Sequence, residues 1–268
     1  MENETYIRLG IFIGLFLILA TIEALVPRRL RVEPRKRRWF TNWSLIVIDS
    51  LVLRAMAFIV PAVLPLLAVG AAYDAARLGW GLFNQVGWPF WLEVVLTVLI
   101  LDFAIWLQHL ITHKIPILWK LHQVHHADRD IDVSTAIRFH PIEIALSMLL
   151  KISLVYLLGP TGFAVILFEI ILNSTAMFNH ANIKLPLWLD SIVRLVLVTP
   201  DMHRVHHSDI RSEHDSNYGF SLSIWDRIFK TYIAQPKAGH EEMTIGLKWQ
   251  DSRPSNLTWI LALPFLKR

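Results

Sequence analysis

Twelve histidines fall in a chain of 268 residues, and eight of them stand in three tight groups. His109 and His113 bracket HLITH; His122, His125 and His126 stand in HQVHH; His203, His206 and His207 repeat that pentad as HRVHH. Positions i, i+3 and i+4 share one face of a helix, so each pentad presents three imidazoles to one point and HLITH presents two. Imidazole is a ligand for zinc, copper, iron and nickel. The chain has no cysteine, which removes thiolate ligands, thiolate nucleophiles and disulfides from consideration.

A ninth histidine, His180 in FNHANIK, follows the last long apolar run and shares the depth of the groups. Nine nitrogen donors suit two ions with four or five each and are too many for one zinc, which takes three or four protein ligands. Gln123 and Arg204 stand where HExxH would need its glutamate, so the zinc-protease pattern is absent. Two redox-active irons fit the count best. Neutral rings leave the metal charge uncompensated, and Asp102, Asp128, Asp201 and Asp209 flank the groups as candidate acceptors for ring N–H groups. RFHPIE holds Arg138, His140 and Glu143 and reads either as a turn fixed by Pro141 or as an outer hydrogen-bond network. His214 and His240 lie in polar segments and are expected in solvent; Lys151 interrupts an apolar run and is expected to snorkel to an interface.

Membrane-spanning elements must position these groups. Hydrophobic residues make up 54% of the chain, mean hydropathy is +0.44, and only 18% is charged, below the roughly 25% usual in soluble domains. Apolar runs cover 6–26, 43–72, 91–111, 142–158 and 161–178, each long enough to cross a bilayer. The second contains Asp49, Arg54 and Pro61 and reads as broken or tilted; the last two are split by Gly159-Pro160 and read as a hairpin. The acidic start MENETY and the lack of a small-x-small site argue for a retained first helix over a cleaved leader. The basic run 27–38 directly after it marks the cytoplasmic side, with the N-terminus outside. Counting crossings from there brings every histidine group to the cytoplasmic side. The net charge of +4 reads as that membrane bias, with no nucleic-acid surface. The expected architecture is an all-α, multi-pass integral membrane protein with four to five transmembrane helices and a cytoplasmic helical cap carrying a histidine-rich dimetal site. Residues 1–89 would supply N-terminal spans and the basic loop, 90–235 the histidine domain, and 236–268 a cytoplasmic tail.

In order, DFAIWLQHLITHKIPILWKLHQVHH, RFHP, HANI, HRVHH and NYGFSLSIWDRIF resemble the fatty acid hydroxylase superfamily, the group of sterol desaturases, sterol methyl oxidases and fatty acid and sphingolipid hydroxylases. The resemblance spans roughly residues 90–235, about half of the chain. It implies a membrane-embedded non-haem di-iron oxygenase. His109, His113, His122, His125, His126, His203, His206 and His207 match its eight motif ligands, and His180 matches a further one. Some relatives carry an additional histidine where this chain has Ala176; water or Asn182 would substitute. Many members read Gly-Thr after the WDRLF motif, where Lys230 and Thr231 follow Phe229 here, a departure expected to fall outside the metal site. The implied reaction is O2-dependent hydroxylation or desaturation of a C–H bond in a lipid such as a sterol or fatty acyl lipid. No GxGxxG fingerprint is visible, so a separate cytochrome, ferredoxin or reductase would supply electrons. Two rivals are a membrane dizinc lipid hydrolase and a non-enzymatic metal carrier. The carrier would need polar groups along a membrane path, whereas these histidines lie at the ends of the apolar runs.

Overall fold

Helix signals in the sequence match where the chain turns. The computed structural model describes residues 2–59 and 67–266. In chain order these form α1 Glu2–Leu25, α2 Arg35–Ile59, α3 Leu67–Leu78, α4 Leu82–Gln85, α5 Phe90–Lys114, α6 Pro116–His126, α7 Pro141–Leu158, α8 Gly162–His180, α9 Leu187–Val193 and α10 Pro200–His206, followed by short helical turns. Among the described residues there is no β-strand, only isolated bridges. Five helices (α1, α2, α5, α7 and α8) are long and apolar enough to cross a membrane, the upper end of the expected four to five. Within the second apolar run α2 is described to Ile59 and α3 from Leu67; the break expected at Pro61 lies outside the described residues.

Local chemistry sets the breaks that matter for the site. Proline disfavours helical geometry in the residue before it, and Ile115, ahead of Pro116, is extended at φ −95° and ψ 116°. Helix α5 therefore stops at Lys114 and α6 starts with proline in its first turn, where no N–H is needed. This corner turns the first pentad back toward His109 and His113. Helix α7 ends at Gly159 in the left-handed region, φ 66°, a glycine-favoured cap. Gly159 also lies against Gly81, where an added Cβ would sit 2.2 Å from the Gly159 nitrogen. Thr161 then caps α8 and Thr199 caps α10, with Pro200 in the first turn of α10. Ala68, Ala71 and Ala72 of α3 pack on Met148, Ile152 and Val155 of α7 and Val165 of α8, the close small-residue approach common between membrane helices.

The ends of α1, α2, α5 and α8 meet one cap, on one face of the bundle. Leu45 of α2, Val124 of α6, and Leu247, Ile260 and Leu263 near the C-terminus share one apolar core there. Arg38, fully buried on α2, is the polar tie. Its Nε and one terminal nitrogen donate to the two oxygens of Asp128 at 2.7 Å each, and the other reaches Asp132 at 2.6 Å. Burial alone would raise the Asp128 carboxyl, but Arg38 holds it below the usual carboxylate range. The basic run is therefore more than a solvated linker. Besides Arg38, Arg28 pairs with Asp201 at 3.2 Å and Glu241 at 2.9 Å, and Arg29 donates to the carbonyls of His240 and Met243.

Candidate metal centre

All nine expected histidines converge. His109, His113, His122, His126 and His206 form one buried group; His125, His180, His203 and His207 form a second, with ligand atoms inside each group within 4.8 Å of one another. The two pentads do not serve one ion each. His122 and His126 of the first face His206 of the second, while His125 faces His203 and His207. The i, i+3, i+4 face of each helix is thus split between two centres, and the groups stay adjacent: His126 and His207 stack at 4.6 Å between ring centroids.

Ring orientation is set largely by main-chain carbonyls. Nδ1 of His109 lies 2.7 Å from the Tyr218 carbonyl, that of His125 3.1 Å from Arg138, that of His180 2.7 Å from Ala176 and that of His206 2.6 Å from Ser216. His122 differs: its Nδ1 meets Glu143 Oε1 at 2.6 Å. A carbonyl can only accept, so each of these Nδ1 atoms carries the proton and each Nε2 is a lone-pair acceptor. Those Nε2 atoms nevertheless crowd together. Nε2 of His109 is 3.0 Å from that of His122 and Nε2 of His125 is 3.1 Å from that of His180, each a pair of acceptors, while Nε2 of His203, whose tautomer no Nδ1 contact fixes, also lies 3.1 Å from His180. Both ring nitrogens of His113, His126 and His207, Nδ1 of His203 and Nε2 of His206 are buried without a hydrogen-bond partner among the described residues. Lone pairs facing one another in a dry interior are unfavourable, and a cation between them resolves the arrangement. The donor set therefore fits metal. Burial first, and the neighbouring rings second, hold His125, His126, His203 and His207 far below the ordinary imidazole value; in His206 burial does the same against the Ser216 carbonyl. Those rings are neutral at pH 7, the form that binds metal.

The flanking aspartates do other work. Asp102 accepts from the Trp225 indole at 2.8 Å, Asp128 serves Arg38, and Asp201 serves Arg28 and Arg204. Asp209 sits at the cap edge with its amide on the Thr244 carbonyl. Asn182 is consumed by the Arg29 backbone, accepting at 3.0 Å and donating at 2.9 Å, and is no substitute ligand. Of the two histidines expected in solvent, one is buried and one half-buried. His240 is only 5% exposed, 3.6 Å from Asp201, because the basic run folds over it; burial pushes it down to about 4. His214 is half-buried, stacked on Trp119 at 5.3 Å. RFHPIE resolves into both of its readings. His140 caps α7 ahead of Pro141, while Arg138 and Glu143 form the network. Arg138 is fully buried and donates to the Val124 and Pro254 carbonyls and to Asn42, each at 2.7 Å.

Asp226 escaped the sequence reading. It accepts from Trp106, the amides of Tyr218 and Gly219, and Thr231, at 2.7–3.1 Å, and so fixes the loop whose carbonyl holds His109. Its signal was the WDR triplet, with one carboxylate between aromatic and basic neighbours. Lys151 is also misjudged from sequence. Instead of snorkelling, it pairs with Glu169 at 3.2 Å between spans.

One cavity adjoins the five-histidine group and a second lies beside that cavity. An inner one of 160 Å³ reaches from His109 and His122 along α7, past Glu143 and Ser147 to Lys151, with Ile105, Leu172 and Phe220 opposite. An outer groove of 290 Å³ between α5 and α7 is walled by Leu107, Leu118, Leu121, Leu146, Leu150 and Leu154. Gln108, Thr112 and Glu143 border both, and Ser147 donates to Gln108 at 3.2 Å across the partition.

Comparison with known proteins agrees with this geometry. The fatty acid hydroxylase family model matches residues 94–231, just over half of the chain. The ornithine lipid hydroxylase OlsE of Rhizobium tropici is 28% identical over 158 residues, 59% of this chain and 47% of the relative. The alkylglycerol monooxygenase of Homo sapiens is 31% identical over 151 residues, 54% of this chain and 31% of the relative. That of Danio rerio is 34% identical over 149 residues, 55% of this chain and 31% of the relative. The chain thus spans about half the length of the first relative and about a third of the others. No solved structure matches. With ordered histidine groups converging on two centres at the end of a helical bundle, and with the family match spanning those same groups, the chain belongs to the fatty acid hydroxylase family.

Proposed function

We propose that this protein is a membrane-embedded, O2-dependent lipid hydroxylase or desaturase, with the nine histidines holding two irons. The observation that carries the reading is the pair of all-nitrogen groups with a cavity at His109 and His122 that borders an apolar groove. The donor count supports iron over zinc: nine imidazoles in groups of five and four, with no thiolate in the chain, exceed what one zinc takes and suit two irons.

When bound, the irons would supply O2 reduction and oxidation of a C–H bond. The chain's own residues position and protect. Tyr218, Arg138, Ala176 and Ser216 carbonyls and the Glu143 carboxylate aim the rings. Ile105, Phe139, Leu172 and Phe220 wall the inner cavity beside His109 and His122 and keep water from the reacting carbon. The leucine-lined groove between α5 and α7 takes the hydrocarbon chain laterally from the bilayer. The cap lies on the cytoplasmic side, where a separate cytochrome, ferredoxin or reductase delivers electrons.

The test is purification with metal analysis alongside turnover. The expected result is two irons per chain, O2 uptake dependent on added electrons, and lipid products 16 mass units heavier or 2 lighter. Stoichiometric zinc with anaerobic lipid cleavage would overturn it.

A further inference from the structure

The inner cavity ends in a charge that a purely hydrocarbon pocket would exclude. Lys151 stands on α7 eight residues beyond Glu143, about 12 Å deeper into the span at 1.5 Å per residue. Its Nζ lies 3.2 Å from Glu169 Oε1 of α8, and the other Glu169 oxygen accepts from Arg8 of α1. Arg8 is itself 3.6 Å from Glu4, at the start of α1. Three spans thus meet at one buried carboxylate that is saturated by two cations. Ionised groups inside a membrane span are costly and mark substrate or ion paths. An ion path is the weaker reading, because the polar wall of Lys151, Ser147, Gln108 and Glu143 runs to the histidines and stops there. A simple staple would use up the ammonium. Here Glu169 takes one of its three donors, and the side chain, 16% exposed, lines the void.

Size and polarity say what the void receives. At 160 Å³ it is smaller than the roughly 300–1,000 Å³ of pockets that enclose a drug-sized molecule, so one end of a lipid fits. The leucine groove next to it suits hydrocarbon, while the inner cavity offers Thr112, Ser147, Asn173 and Lys151. Glu143 at the histidine end repels an anion, and Lys151 at the far end attracts one.

We propose that Lys151 anchors an oxyanion, a carboxylate or a phosphate, of an amphiphilic substrate. Its polar end lies at Lys151 in the inner cavity, its chain passes the partition at Gln108 toward the groove, and the C–H bond presented to His109 and His122 lies several carbons from that polar end, at the opposite end of the cavity. Glu169, with Arg8 behind it, is the positioning residue for the Lys151 ammonium. The anchoring claim deepens the proposed function, resting on it only for which bond is attacked.

Equilibrium binding to the purified full chain, as isolated with its metal, tests the anchor without O2 or electrons. The probes are hexadecanoate, hexadecyl phosphate and hexadecanol. The wild type should bind at least one of the two acids about ten-fold or more tighter than the alcohol, the size of a charge-assisted hydrogen bond. Preference for the carboxylate or the phosphate identifies the headgroup. Lys151→Met should abolish the preference and leave hexadecanol binding unchanged, and Lys151→Arg should keep it. Lys151→Met with Glu169→Gln restores local charge balance and should show the same loss, with metal content reporting a folded chain. A wild type that binds acid and alcohol alike, or a methionine variant that keeps the preference, overturns the proposal. Absent turnover with every lipid, despite intact acid binding, would instead count against the proposed function.

Discussion

Among the described residues Glu143 is the one side chain that accepts a hydrogen bond from a ring of the two groups, and its second oxygen is buried without a partner beside both cavities. Removing such an outer partner costs about 10–100-fold in metal affinity or activity. Glu143→Ala should fall in that range, and Glu143→Gln, whose amide oxygen still accepts from His122, should lose less; metal titration of the two variants against wild type checks the order. Eight of the nine rings were legible because spacing alone puts i, i+3 and i+4 on one face, and His180 by its depth after the last apolar run. Their partition between two centres was not, because it depends on how two helices face each other in space. The outer acceptors were misread for a related reason. Asp102, Asp128 and Asp201 are close in sequence but are taken by an indole and by arginines, whereas Tyr218, Arg138, Ala176 and Ser216 act through carbonyls that any residue possesses.

Helix boundaries carry the next level. Pro116 after Ile115, the αL Gly159, and Thr199 before Pro200 each announce a break that the chain obeys, and these breaks return both pentads to one face. The contact between α2 and the loop after α6 has no such local signature. Arg38 reads as one basic residue among many, yet it is fully buried between Asp128 and Asp132. Breaking a buried ion pair from one side costs about 3–5 kcal/mol, because the partner charges stay behind unpaired. Arg38→Met should lower the thermal midpoint sharply, while Arg37→Met, on an exposed neighbour, should leave it near wild type. Equal midpoints for the two variants would show that the tie does not hold the cap to α2.

At the scale of the molecule, a bundle of five apolar helices with every histidine group at one end makes a simple statement about sides. The chain has no cysteine, so single cysteines report sidedness without background. A cysteine replacing exposed Arg211 on the cap should resist a membrane-impermeant thiol reagent in intact cells and react after lysis; one replacing exposed Gly87, at the opposite end before α5, should react in both. The reverse pattern would place the cap outside. Hydropathy made the bundle legible, and the charge of residues 27–38 gave the expected orientation. That same run has a second use that separates in time from the first. While α1 and α2 are being inserted, Asp128, Asp132 and Asp201 have not yet been synthesised, so Arg28 and Arg38 are unpaired and available to be read as an orientation signal. Once the later chain emerges, the same guanidinium groups become tie points for the cap. The expected order of biogenesis is therefore sidedness first and docking of the histidine-bearing cap last, on charges that have finished their earlier task.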